Sequence, residues 1–233
     1  LYSEEKSEFK GLLNNFFENL NEGYSIIKKI VREAYAGGQP DTRNFLQLSL
    51  DEPPKSNFSQ HNRWSVKQAA YKTLLYKAGF KPPKNYVKFT VSKDVVSQVN
   101  EKAGDGKTLR DPNKGIKYNE AYKWFEYALN IADDNDDELL SASGNEWFDD
   151  ETISIVRMLC QQNSSGSYIS GYALLTEASK YHNPERDEEV GKEIYNYLEN
   201  GKIVILDLSF GDPELISEMS EKIAKDILNK SSN

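Results

Sequence analysis

The sequence predicts a mainly α protein: a helical domain over residues 1–184, then a small α/β C-terminal portion over 185–233 in which one buried strand is flanked by helices. Three observations predict it. Apolar residues recur at three- and four-residue spacing through most of the chain, the period that lays one face of a helix against a core. One run, Lys202–Leu208, is continuously β-branched and apolar, as in a strand buried on both faces. Between the two patterns, Asn183-Pro184 and the charged residues after it mark a boundary.

In chain order, Phe9, Leu12, Leu13, Phe16, Phe17 and Leu20 form one helical face, and Ile26, Ile27, Ile30, Val31 and Ala34 another. Two helices or one kinked helix are expected over Ser3–Ala36, interrupted at Asn21–Gly23 and stopped by Gly37-Gly38-Gln39-Pro40. Phe45–Leu50 alternates weakly and suggests a short strand; Asp51–Asn62, with Pro53-Pro54, suggests a loop. Ser65 followed by Gln68 fits a capping box ahead of Ala69, Ala70, Leu74, Leu75 and Ala78. Gly79 supplies the left-handed residue past that helix end. Tyr86–Val91 is a possible strand and Asp94–Asn100 a short helix; Ala103–Lys117 reads as a loop. The periodicity predicts helices over Tyr118–Ala132 and over Glu151–Leu159, the second led by Asp149 and Asp150 at its positive end. Helices are also expected over Tyr168–Tyr181 and Glu188–Glu199. After the strand, Asp212 and Pro213 open a last helix whose inner stripe is Leu215, Ile216, Met219, Ile223, Ala224, Ile227 and Leu228.

Composition excludes some functions. The net charge of −8 argues against a dedicated nucleic-acid module, which carries a basic face. Lys28, Lys29 and Arg32, or Lys67, Lys72 and Lys77, are the candidate basic stripes, and solvated helix faces are the default reading of both. One thiol, Cys160, makes an internal disulfide impossible, so a reducing, cytoplasmic location is expected, with Cys160 buried in an apolar run. No apolar run reaches the ~20 residues that span a bilayer, so no membrane partner is expected. The chain starts at Leu1 rather than Met, which suggests an excerpt of a longer polypeptide.

The chemical motifs fail one by one. Gly104-Asp105-Gly106-Lys107-Thr108 resembles the end of a phosphate loop, but Glu101 stands where the first glycine belongs, and its charge repels phosphate. Asp133–Glu138 is acidic, but an EF-hand needs Gly at its sixth and Glu at its twelfth position; Glu138 and Gly144 stand there. His61 and His182 belong to no ligand spacing. No complete catalytic site and no metal site is expected. Asp207 stands out, at the carboxyl end of the buried strand where open α/β sheets hold ligands. Ser209 in place of a second acid excludes an Asp-x-Asp nucleophile, and Leu208 excludes an Asp-Glu magnesium strand.

The segment Ile203–Ser209, an apolar run ending Asp-Leu-Ser, with the helix over Glu214–Leu228 resembles the core of HerA/FtsK-type P-loop ATPases. In that family such a strand and helix follow a helical insertion and precede the strand with the magnesium- and water-binding acids. The resemblance implies that residues 1–184 are the insertion and 185–233 a partial ATPase core, with Asp207 and Ser209 near nucleotide. It implies ATP and magnesium for the parent protein and none held by this segment alone. It also implies a homo-hexamer or partner effector as contact, and double-stranded DNA as the parent's track. The phosphate loop and the acidic pair of an intact member are both missing from this chain. A self-contained helical interaction or scaffold domain is the alternative. A third reading is a small enzyme that combines Asp207 with Glu146 or Asp149, and it requires a deep pocket at the end of the strand.

Overall fold

The computed structural model describes residues 13–14, 16–17, 20–34, 40–104, 108–134, 139–141, 144–184, 190–206 and 213–231. Helices dominate these residues: α1 (Leu20–Ala34), α2 (Pro40–Phe45), α3 (Phe58–Lys77), α4 (Lys93–Ala103), α5 (Tyr118–Ala132), α6 (Asp150–Cys160), α7 (Val190–Glu199) and α8 (Pro213–Ser231). Two short strands, β1 (Leu13–Asn14) and β2 (His182–Asn183), pair in parallel, Leu13 opposite His182. The mainly α class read from the periodicity is what the chain adopts. α6 lies in the middle of the body, packed on α2, α3 and α5, which is why Ile155, Val156, Met158 and Leu159 are all buried.

Helix ends follow local chemistry. Asn57 caps α3 by accepting from the Gln60 amide, Ser92 caps α4, and Asp149 caps α6 by accepting from the Thr152 amide. The end of α3 is a Schellman turn: Phe80 N–H donates to Leu75 O at 3.1 Å and Gly79 N–H to Tyr76 O at 3.0 Å. Gly79 takes φ +97° there, as its placement past the helix predicts.

Four sequence expectations are corrected. The helix expected from Phe9 onward is not formed where the residues are described: Leu13–Asn14 is β1 and Phe16–Phe17 a turn, so α1 begins only at Leu20, and it then runs through Gly23 without a break. A Cβ on Gly23 would stand 2.5 Å from the Phe16 ring, so the glycine serves close packing and not a break. Phe45–Leu50 is not a strand. The Tyr24 hydroxyl donates to Phe45 O at 2.5 Å and accepts from Leu48 N–H at 3.0 Å, taking the place of a neighbouring strand. Ser65 is not a cap, since α3 begins at Phe58; its hydroxyl donates to Asn62 O and accepts from the Thr90 amide. Tyr168–Tyr181 forms two 3-10 turns, Gly171–Leu175 and Ala178–Tyr181, instead of an α-helix. Gly171 has φ +52° and a Cβ there would meet Met158 O at 2.3 Å, so the segment lies too close to α6 for a regular helix. Tyr86–Val91 contributes a single antiparallel bridge, Val87 with Ile116.

One contiguous core joins buried residues from Phe16 to Ala178. Phe89, Trp124, Phe125 and Trp147 interlock within it, the Phe89–Phe125 rings stacked at 5.1 Å and the Trp124–Trp147 rings edge-on at 5.2 Å. Such pairs add about 0.5–1.5 kcal/mol beyond area burial. A second, small cluster consists of Ile194 of α7 and Ile223 of α8, with Val204 and Ile227 against it. α7 and α8 pack on each other, and α8 also touches α1.

Candidate functional site

Asp207 and Ser209, the residues the sequence singles out, lie outside the described residues, as does the capping position Asp212. The run that leads to Asp207 is described as far as Leu206. It starts where Gly201, at φ +72°, ends α7, with Lys202 N–H donating to Tyr197 O at 2.9 Å. The sequence predicts Lys202–Leu208 as a buried strand. Through Leu206 it is neither paired nor buried: these residues carry no strand assignment, and Ile203 and Ile205 are 87 % and 88 % exposed. Val204, between them, is half-buried against Ile194 and Ile223, and Leu206, the next position in that phase, is itself 39 % exposed. Exposure alternates only weakly along the run, as on a strand touched on one side by Val204 alone, and no ladder is formed on it among the described residues.

Glu146 and Asp149, the acids considered as partners of Asp207, line a groove of about 520 Å³ in the helical body. Its walls come from the first turns of α3 (Asn62, Arg63, Val66), the segment before α4 (Thr90, Ser92) and the hairpin closed by the Leu140–Glu146 bridge. No residue of Lys202–Leu206 lines it. The deep pocket that an enzyme built on Asp207 and these acids requires is therefore not formed by the described part of the run. Periodicity gave no hint of this groove, whose lining residues, polar and apolar, are scattered over three segments of the sequence.

The basic stripes are largely spent on internal contacts. Lys67 pairs with Glu151 and donates to Ser49 O at 3.2 Å. The Lys77 ammonium sits 4.1 Å from the Tyr122 ring centroid and 5.4 Å from that of Tyr172. Lys28 lies over Tyr24 at 5.9 Å. Cys160 borders this region, and burial pushes its thiol up to about 12, with the nearby Glu126 carboxylate adding to the effect. A thiol so raised is not a nucleophile near neutral pH.

Of the two histidines, His182 is 7 % exposed, with ring centroids of Phe16, Phe17 and Phe80 at 5.4 to 5.9 Å. Neither of its nitrogens has a hydrogen-bond partner, and burial lowers its pKa to about 4. His61 stacks near Trp64 and faces Glu52 at 4.0 Å. Among the described residues no group of three or more His, Cys, Asp or Glu is placed to hold a metal ion, and no helix is long and apolar enough to cross a membrane. No family model, no curated protein and no solved structure matches the chain.

Proposed function

We propose that this chain is a non-catalytic contact segment of a DNA-translocating ATPase of the HerA/FtsK type, with Lys202–Leu206 as a sheet strand whose neighbours belong to another part of the parent protein. One observation carries the proposal. Two isoleucines two positions apart face solvent almost fully while Val204 between them is half-buried. Fully exposing a large aliphatic side chain forgoes about 1.5–3 kcal/mol of burial, and paired exposure in a strand pattern fits a face made to be covered. In this reading the helical body holds the strand in place and meets subunits or a partner effector; ATP, magnesium and double-stranded DNA belong to the assembled parent, with Asp207 and Ser209 near nucleotide.

The test is the complete open reading frame and its product. The frame is expected to encode Gly-x4-Gly-Lys-Ser/Thr ahead of Leu1 and an apolar strand ending in two acids after Asn233. The product is expected to hydrolyse ATP faster when double-stranded DNA is added. A frame lacking both motifs overturns the proposal.

A self-contained helical interaction domain is the second reading. It is favoured by the contiguous core that joins buried residues from Phe16 to Ala178. It expects no change in melting temperature of the full-length product with a non-hydrolysable ATP analogue, where the ATPase reading expects a rise.

A further inference from the structure

We propose that the groove beside Trp147 binds a small, neutral, hydroxyl-rich ligand, a saccharide of one or two rings. The site is independent of the ATPase reading, since the groove is built wholly within the helical body.

The volume of about 520 Å³ falls in the range of small-molecule sites. Some of its polar groups are spent on caps and turns, as for Ser92, Ser141 and Asp149, but others are left for a ligand. Asn62, Arg63 and Glu146 line it, and their side chains make no hydrogen bond or ion pair with other described residues. Thr152, 2 % exposed, reaches the same groove, and its hydroxyl too has no partner among the described residues. Amide, hydroxyl, carboxylate and guanidinium together offer both donors and acceptors, which is what a ligand rich in O–H groups requires. Trp147 adds an indole, held from behind by Trp124 and Phe148 at ring distances of 5.2 and 4.7 Å.

Charge and geometry exclude other ligands. Two carboxylates, Glu146 and Asp149, face one guanidinium, Arg63, so a phosphate or other polyanion is disfavoured. The helix amides that usually cradle anions are already capped: Ser92 Oγ accepts from the Val95 amide and Asp149 Oδ1 from the Thr152 amide at 2.7 Å. An extended peptide adds itself to a free sheet edge; here the walls are helix starts and one isolated bridge.

Saturation-transfer NMR of the full chain with glucose, galactose, N-acetylglucosamine and maltose tests the proposal. At least one sugar is expected to receive saturable transfer and to change tryptophan emission. Glu146→Gln and Asn62→Ala, both at exposed positions, are expected to weaken that binding about tenfold or more and about threefold to tenfold respectively, the cost of a lost hydrogen bond to a charged and to a neutral group. Tyr168→Ala, on an exposed loop outside the groove, is expected to leave it unchanged, and all three variants are checked by thermal melting. The absence of saturable binding by any of the four sugars overturns the proposal. So does binding that both groove variants retain, or enrichment of a displayed peptide library at this groove in place of a sugar.

Discussion

The helical body and the α7–α8 hairpin solve the same problem unequally. In the body, aromatic and aliphatic side chains from six helices converge, and Trp124, Tyr71, Phe89 and Leu74 are wholly covered. In the hairpin, two buried isoleucines form the cluster, Val204 and Ile227 only half cover it, and Ile203, Ile205 and Leu228 face water. The body's buried side chains cover one another, whereas among the described residues of the hairpin apolar side chains are covered in part and exposed in part. Stability within a protein is uneven in this way wherever apolar contact density falls.

Mutations at the two cores should separate them, and the largest effect lies in the body. Trp124→Ala is expected to cost about 3–5 kcal/mol, read as a lower urea midpoint for the whole transition. Ile223→Ala in the hairpin is expected to loosen amide exchange in α7 and α8 while leaving the body's midpoint nearly in place. Equal shifts from both substitutions would show that the two regions unfold as one.

Next in size is the ion pair that joins α5 and α6. The buried Arg157 guanidinium donates to both oxygens of Asp133, at 3.0 and 2.6 Å, and to Asn163 O at 3.0 Å. Asp133→Ala takes the carboxylate away from the buried Arg157 guanidinium, 6 % exposed against 25 % for Asp133, and is expected to cost about 3 kcal/mol, measured by denaturant unfolding at low and high salt. Because the arginine is nearly water-free, salt is expected to change this cost little.

A smaller effect depends on pH. The imidazole of His182 is held neutral among phenylalanines, down to about 4, whereas in the unfolded chain it titrates near ~6.5. Stability from this site is therefore complete above the unfolded value. It is lost as pH falls from there toward the folded one, because only the unfolded chain takes up the proton in that window. His182→Leu is expected to flatten the fall in melting temperature between about pH 6.5 and pH 4.5. A variant with the same slope as the native chain would remove His182 from the account.

The smallest effect on stability is expected from Ile203→Ser combined with Ile205→Ser, within about 0.5 kcal/mol because both side chains already face solvent. The same pair should change association most. Light scattering of concentrated protein is expected to show less self-association in the double variant. A loss of several kcal/mol would mean that the two isoleucines are covered in solution by the chain itself.

Long amphipathic helices were legible in the residues alone. Over Tyr118–Ala132 the apolar period coincides with the buried face of α5, and Asp149 foretold the start of α6. What the sequence hid depended on distant partners. Gly23 looks like a break until the Phe16 ring is placed against it. The Tyr24 hydroxyl, more than twenty positions away, satisfies the Phe45–Leu48 backbone that alternation had suggested was a strand. Lys202–Leu206 has the composition of a strand, but a strand exists only with a neighbour, and the described residues supply none. The groove was the least legible feature, since no local pattern unites Asn62, Thr152 and Glu146.

The charges that bracket the exposed run carry a consequence for handling the protein. Lys202 and Asp207 stand at either end of Ile-Val-Ile-Leu, a short, flat, proline-free apolar stretch of the kind that stacks into fibres. Stacked in register, every lysine would lie above a lysine and every aspartate above an aspartate, ~4.8 Å apart, so these two side chains act as gatekeepers against runaway polymerisation. Asp207→Asn removes one of the two charges, and that variant should gel or form thioflavin-positive fibrils sooner than the native chain.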